Sequence, residues 1–311
     1  MNARKPLWIV GQRGFLGSAI HRASSVAGYQ IFLPGPIPWG DSEARKETFE
    51  RLTRDFADFV GVDRGTIIWA AGAEGVATTF TPQTTELSAF KDFGHSLSNT
   101  PALHGSSLTV CSSAGGVYSG STEPPFTVFS PVNAINQYGL DKIATEQLAL
   151  AELSGNYIIH IARITNLYGP WSGPRQGLVN RLCTAAAKRE AIRIYVPLET
   201  VRDYIYVDDA AQLLLLELQA QQQSESPSNV SISLIGSGQN SSIASVIKSV
   251  SSVTHRKVPI TFSQLDATSL QPTDLRMHPS WCDRDPDFTP ISLPNGIKKL
   301  FDSLITVPRW N

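Results

Sequence analysis

The sequence predicts an α/β protein built on a doubly wound parallel sheet, followed by a smaller, loop-rich C-terminal cap. Three observations carry that prediction. Short apolar, β-branched runs alternate with segments of helical period through the first half of the chain, as expected of strands buried on both faces and joined by crossover helices. Gly11, Gly14 and Gly17 stand between the first apolar run and a helical segment, where a tight strand-to-helix turn is needed. After about residue 166 the rhythm becomes irregular, beginning with the Gly- and Pro-rich YGPWSGPRQG. Loops of this kind carry sites.

Taken in order, PLWIVG, YQIFL, TIIWAAG, SLTVCSS and YIIHIARI read as buried parallel strands. Between them Phe49, Leu52, Phe56 and Phe59 recur at helical spacing, as do Leu140, Ile143, Ala144 and Leu148, the pattern of crossover helices. Beyond residue 166 a helix starts from Gly177, and IRIYVP and DYIYV are strand pieces. QAQQQSESPSN is a polar surface connection, because the strand VSISLIG follows at once. The expected division is 1–165 for a nucleotide-binding half and 166–311 mainly for the cap, with a later strand returning to the main sheet.

Composition bounds the partners. A 311-residue chain with 41% hydrophobic residues builds a sizeable core. Its formal net charge of -1 gives no field to gather nucleic acid or an anionic membrane, so a small-molecule ligand is expected, with any phosphate held locally. The apolar stretch near the start is too short for a signal sequence and LLLLELQ too short to span a bilayer, which makes the cytoplasm the expected location. Cys111, Cys183 and Cys282 are far apart and none has a second Cys or His at metal spacing, so neither disulfide nor metal is expected.

The spacing Gly-x-x-Gly-x-x-Gly differs from the Gly-x-Gly-x-x-Gly fingerprint but shares its physics: a tight turn, close backbone approach to pyrophosphate, and close packing of helix on strand. The helix start then offers unpaired N–H groups and the positive end of its dipole. Gly11, Arg13, Gly14, Phe15, Leu16 and Gly17 are therefore expected to line a dinucleotide. The second strand ends in Pro34 and Gly35, with no carboxylate for a ribose 2′-OH until Asp41. Arg13 can instead meet a 2′-phosphate, the alternative being a merely solvated side chain. NADP(H) is favoured on this reading, with NAD(H) the alternative.

Tyr138 and Lys142, in NQYGLDKIATEQLAL, stand four apart and share one helix face. A phenol of pKa ~10 is a poor base at neutral pH, and a nearby ammonium stabilises the phenolate. Such a tyrosine passes a proton to or from a carbinol oxygen while hydride moves to or from the cofactor. Of the eight tyrosines, only Tyr138 has a lysine at this spacing.

With these residues in view, the chain resembles the extended short-chain dehydrogenase/reductase superfamily, and within it the NAD(P)-dependent nucleotide-sugar epimerases, dehydratases and reductases. GQRGFLG, WAAG, SSAGGVY, YGLDK, RITNLYGP and RDYIYVDD occur in the family's order over nearly the whole length. The resemblance implies a Rossmann-type sheet, a bound nicotinamide cofactor, a C-terminal cap that binds a nucleoside-diphosphate sugar, and a homodimer through the Tyr-Lys helices. GQRGFLGSAI is most similar to the turn of NADPH-dependent GDP-fucose synthases, whose arginine meets the 2′-phosphate. By position, Tyr138 and Lys142 match the catalytic pair, and Ala70, Ala71 and Gly72 match the loop under the adenosine and ribose. Asn166 matches a diphosphate contact, and Gln176 in the Gly/Pro loop joins the expected sugar-nucleotide contacts. Arg202 matches the arginine that holds a substrate phosphate, against a plain ion pair with Asp203 or Asp208. Counted from the strand, Ser113 takes the hydrogen-bonding role toward the substrate oxygen. Counted back from Val117 and Tyr118, Ala114 falls in that column. Ser113 is preferred because Gly115 and Gly116 can absorb a one-residue shift.

Departures from the family narrow the chemistry. The Asp-Glu pair of sugar 4,6-dehydratases is replaced here by AGG; the glutamate of the decarboxylating relatives and the Cys and His of GDP-fucose synthases are also missing. The short glycine turn before the Arg-Asp pair is VPLET, so the base pocket is expected to differ. What remains is hydride transfer at a ring carbinol, as a 4-epimerase or a 4-ketoreductase. The competing readings are a dehydratase with atypical acid/base residues and a non-catalytic dinucleotide-sensing protein of the same fold. His21 and His160 are expected to pack or face solvent. Trp171 is read as stacking on a ligand or packing its own loop, and Glu74 as a further acid/base or a solvated carboxylate.

Overall fold

A computed structural model describes residues 5–72, 85–171, 173, 177–223, 229–262, 272–283 and 288–306. The chain runs β1 (Pro6–Val10), α1 (Phe15–Val26), β2 (Gln30–Phe32), α2 (Ser42–Val60), β3 (Thr66–Trp69), α3 (Thr85–Ser98), β4 (Ser107–Ser113), the one-turn α4 (Ala114–Val117), α5 (Gln137–Leu148) and β5 (Ile158–Ile164). It continues through β6 (Asn166–Tyr168), α6 (Leu178–Lys188), β7 (Ile192–Ile194), β8 (Val201–Tyr206), α7 (Val207–Gln223) and β9 (Val230–Ile235). The last elements are β10 (Asn240–Ser242), α8 (Ile243–Thr254), β11 (Ile260–Phe262), β12 (Asp274–Leu275) and α9 (Leu293–Thr306).

A parallel six-stranded sheet has the order β2-β1-β3-β4-β5-β9, so VSISLIG supplies the returning strand. Leu7 stands opposite both Ile31 and Thr66, because β1 lies between β2 and β3. Chain order reverses direction across the sheet at this pair. In an open α/β sheet the ligand crevice opens beyond the carboxyl ends of such strands. β1 and β3 are buried at every residue, as their unbroken apolar runs require. Against them α2 and α3 lay Phe49, Phe56, Phe90 and Phe93, and Trp69 stacks on Phe93 with centroids 5.1 Å apart.

The apolar positions read on the Tyr138 helix are not its buried face. α5 buries Gly139, Asp141, Lys142, Thr145 and Glu146, and leaves Leu140 48% exposed. The reason is electrostatic: these polar groups meet charged and hydroxyl partners from α3, β4 and β5, which a hydrophobic periodicity does not register.

The chain forms two compact units. The first comprises 1–117, 134–163 and 211–233, and the second 118–133, 164–210 and 234–311. Residues 118–133 group with the second unit because Phe126 bridges to Met277 and accepts and donates backbone bonds there. In the second unit β8 is flanked by β10 and β12 and also pairs with β6. Its own core gathers Val179, Leu182, Val246, Ile297 and Leu300 from α6, α8 and α9.

Candidate active site

The first unit holds the glycine turn and the Tyr-Lys pair. Gly11 adopts φ +90°, and a Cβ there would fall 2.7 Å from the Cα and N of Ala71, so glycine is required where the loops after β1 and β3 meet. Gly14 N–H donates to the Gly11 carbonyl at 2.8 Å, and a Cβ on Gly17 would lie 2.2 Å from that same oxygen. Ala70 N–H donates to Val10 O at 2.9 Å, which ties the second loop to the first strand. Gly14 caps α1 without any side-chain hydrogen bond, and the first turn of α1 has no acidic residue. The helix therefore presents its positive end, with Phe15 and Leu16 half-buried beside it, to whatever anion enters. A cradle that side chains would fill, at an uncapped helix start, fits a dinucleotide pyrophosphate. Arg13 is exposed and forms no ion pair among the described residues. Asp41, the first carboxylate after β2, accepts from the N–H groups of Glu43 and Ala44 at 3.1 Å and so caps α2.

Tyr138 is brought to the turn that follows Ser113 by an approach of backbone on backbone. A Cβ on Gly139 would sit 2.4 Å from Gly116 O, and one on Gly116 would sit 3.1 Å from the Tyr138 ring. Ser113 heads the α4 turn, where its Oγ accepts from Gly116 N–H at 3.2 Å. Ser113 is half-buried, whereas Ala114 is fully buried.

Lys142 Nζ donates to Glu86 Oε1, and both side chains are nearly inaccessible, at 8% and 7% exposure. The ammonium lies 5.7 Å from the centre of the Tyr138 ring. Burial pulls Lys142 down, but the carboxylate of Glu86, the hydrogen bond to it and the Tyr138 phenol together hold the lysine above its ordinary value. One turn further along α5, Glu146 accepts from Ser112 Oγ at 2.5 Å and from Arg163 Nη2 at 2.7 Å. This buried triad clamps α5 to β4 and β5, on either side of the strand end that carries Ser113. His160 is also satisfied internally, with Ser233 Oγ 2.8 Å from its Nε2.

In the second unit Arg202 is buried on β8. Its guanidinium donates to Val201 O at 2.8 Å and to Pro272 O at 2.7 Å, and it forms no ion pair among the described residues. Neither sequence alternative for its partner applies. Asp203 accepts instead from Thr165 Oγ1 at 2.6 Å and from Ser237 N at 2.8 Å, and Asp208 is exposed. Asn166 Nδ2 donates to Asp203 O at 2.9 Å. Gln176 and Glu74 lie outside the described residues.

Sequence reasoning missed Glu86. An acid in the first turn of a helix reads as a complement to the helix dipole, and nothing nearby in the sequence marks it for a lysine 56 positions away.

Sheet order, glycine turn and helix start define an α/β protein of the Rossmann type. The chain belongs to the NAD dependent epimerase/dehydratase family, whose model matches residues 7–233. It is 27% identical over 164 residues to the dTDP-4-dehydro-6-deoxyglucose reductase of Escherichia coli, covering 51% of this chain and 49% of the reductase, and so spans about half of that relative. It is 24% identical over 268 residues to the UDP-N-acetyl-alpha-D-glucosaminuronate decarboxylase of Bacillus cytotoxicus, covering 81% of each. Among solved structures, the UDP-glucose 4-epimerase of Thermus thermophilus in complex with NAD superposes with a TM-score of 0.77 at 19% identity, over 97% of this chain and 99% of that one. That likeness establishes the fold. The family is NAD-dependent, and a preference for the 2′-phosphorylated cofactor finds no support in these matches. Among the described residues no helix is long and apolar enough to cross a membrane.

Proposed function

We propose that the protein transfers hydride at a ring carbinol of a nucleoside-diphosphate sugar, and that it acts as a 4-epimerase. The observation that carries this reading is the Gly116–Gly139 contact, which sets the Tyr138 ring against the turn headed by Ser113, on the helix that also carries the charged Lys142. Tyr138 takes a proton from the carbinol oxygen and returns one to it; Lys142 makes the phenol acidic enough to do so near neutral pH; Ser113 orients the oxygen. A dinucleotide held by its pyrophosphate at the glycine turn would supply the hydride acceptor and donor. Arg202 and Asn166 hold the diphosphate, with Gln176 beside them in sequence terms only. Arg202 supports this role because its buried guanidinium donates to carbonyl oxygens and has no carboxylate hydrogen-bonded to it among the described residues, Asp274 acting on it only at longer range. The names of the relatives, all enzymes that act on nucleotide sugars, support the substrate class.

A second reading is a 4-ketoreductase using NADP(H). It is favoured by exposed Arg13 in the turn and by the commitment of Asp41 to capping α2, which leaves no acid for a ribose 2′-OH at the end of β2. A homodimer through α5, with half-exposed Leu140 on its outer face, belongs to both readings and is checked by sedimentation.

Incubation with a panel of nucleotide sugars separates the two. Epimerisation leaves product mass unchanged and consumes no cofactor, whereas reduction consumes NADPH in proportion to product. Tyr138→Phe is expected to lower turnover about 10²- to 10⁴-fold with dinucleotide affinity nearly unchanged. Retained turnover in that variant would remove the assigned roles.

A further inference from the structure

We propose that Glu86 is a positioning residue that keeps the buried Lys142 side chain charged, and that residue 72 is glycine to leave room for the Glu86 carboxylate. Its functional consequence rests on the hydride-transfer reading above; the ion pair itself does not. An ammonium withdrawn from water is driven toward the neutral amine unless an anion faces it. A neutral amine would not acidify Tyr138.

Among the described residues four ionisable groups face Lys142: Glu86 from α3, Tyr138 and Asp141 from α5, and Cys111 from β4. Burial pushes the Cys111 thiol up to about 12, so it carries no charge at neutral pH. Burial likewise raises the Asp141 carboxyl, which turns Oδ1 to Gln137 Nε2 at 2.8 Å. Glu86 alone of the four receives a hydrogen bond from the Lys142 ammonium. Its second oxygen lies 3.0 Å from where a Cβ on Gly72 would stand, so the carboxylate is wedged between the lysine and the loop after β3. One residue thus touches both the catalytic lysine and the loop expected to run under the cofactor.

The test is a titration of the whole, cofactor-free protein carrying ¹³C-labelled lysine, followed by NMR at the lysine Cε, with Lys142→Arg to identify the signal. In the wild type Lys142 is expected to stay charged beyond the ordinary lysine value of about 10.4. Glu86→Gln is expected to lower its midpoint by about two units or more, Glu86→Asp to fall between, and Gly72→Ala to shift it the same way by less. The alkaline limb of kcat/KM should move inward in the same order, since a purely structural glutamate would lower activity at all pH values alike. An unmoved Lys142 midpoint in Glu86→Gln overturns the proposal. If that variant does not fold, unmoved midpoints in both Glu86→Asp and Gly72→Ala overturn it equally. Tyr138→Phe that retains turnover while Lys142 still titrates in step with Glu86 would remove the proposed function and leave the ion-pair inference standing.

Discussion

Lys142 and Arg202 are both cations with buried side chains, one in each unit, and they are held in opposite ways. Lys142 is matched by a hydrogen-bonded carboxylate from a neighbouring helix; Arg202 is held by backbone carbonyls, and the Asp274 carboxylate attracts it only from beyond hydrogen-bond range. A cation already neutralised serves an internal purpose, in the proposed mechanism the acidity of a phenol. A cation left unneutralised is the one suited to an incoming anion.

The largest effect that would break this contrast comes from Lys142→Met, which strands the Glu86 carboxylate in a site of 7% exposure. It is expected to cost about 3–5 kcal/mol of stability in a urea unfolding series. Because the folded lysine lies above its unfolded value, its contribution is present in full below about pH 10 and is lost only as pH rises through the folded value. The lysine's own contribution is therefore the same at pH 6.5 and pH 8.5, and any smaller loss at pH 6.5 would report protonation of the stranded carboxyl. A loss under about 1 kcal/mol would mean that the pair is as weak as a surface one.

Arg202→Met comes next. It is expected to weaken nucleotide-sugar binding about 10- to 100-fold, the worth of one charge-assisted contact, and to leave dinucleotide binding within about twofold. Isothermal titration with each ligand checks this, and equal losses for both would erase the contrast between the cations.

Gly139→Ala should have a smaller effect on stability, about 1–3 kcal/mol, because a Cβ 2.4 Å from Gly116 O forces the two backbones apart. Turnover should fall more than dinucleotide affinity, since Ser113 and Tyr138 separate while the glycine turn does not change.

The smallest effect is a chemical one that monitors each unit. Burial pushes the Cys111 thiol in the first unit and the Cys183 thiol in the second up to about 12. Both should resist alkylation of the native protein at pH 8, read by mass spectrometry. The unfolded thiols ionise near about 8.5, so their contribution to stability falls as pH rises from there toward 12. Rapid labelling of one and not the other would show that its unit alone opens.

Much of the frame was legible before the fold was known. PLWIV, TIIW and SLTVCSS announce buried parallel strands by their apolar, β-branched content, and Gly11, Gly14 and Gly17 announce the turn, where a Cβ at Gly11 or Gly17 would collide with backbone. Tyr138 and Lys142 could be paired from spacing alone, since a helix brings residues four apart onto one face. The same spacing misjudged α5, where Leu140 faces outward and Asp141 and Glu146 are buried. Hydrophobic periodicity locates a core face only where the core is apolar. Arg202 stood out by its motif, but of its alternatives Asp203 is the adjacent strand residue, which points to the opposite side of the sheet, and Asp208 lies beyond the strand on α7.

By itself the sequence determined local geometry: which runs are strands, where the chain must turn tightly, and which two residues of one helix share a face. These depend on steric and periodic rules that act over a few residues. Only the tertiary structure decided which charge meets which, because an ion pair such as Glu86–Lys142 joins segments 56 positions apart and exists only once α3 and α5 are packed together. Whether a buried cation is neutralised or left free for a ligand is settled at that level.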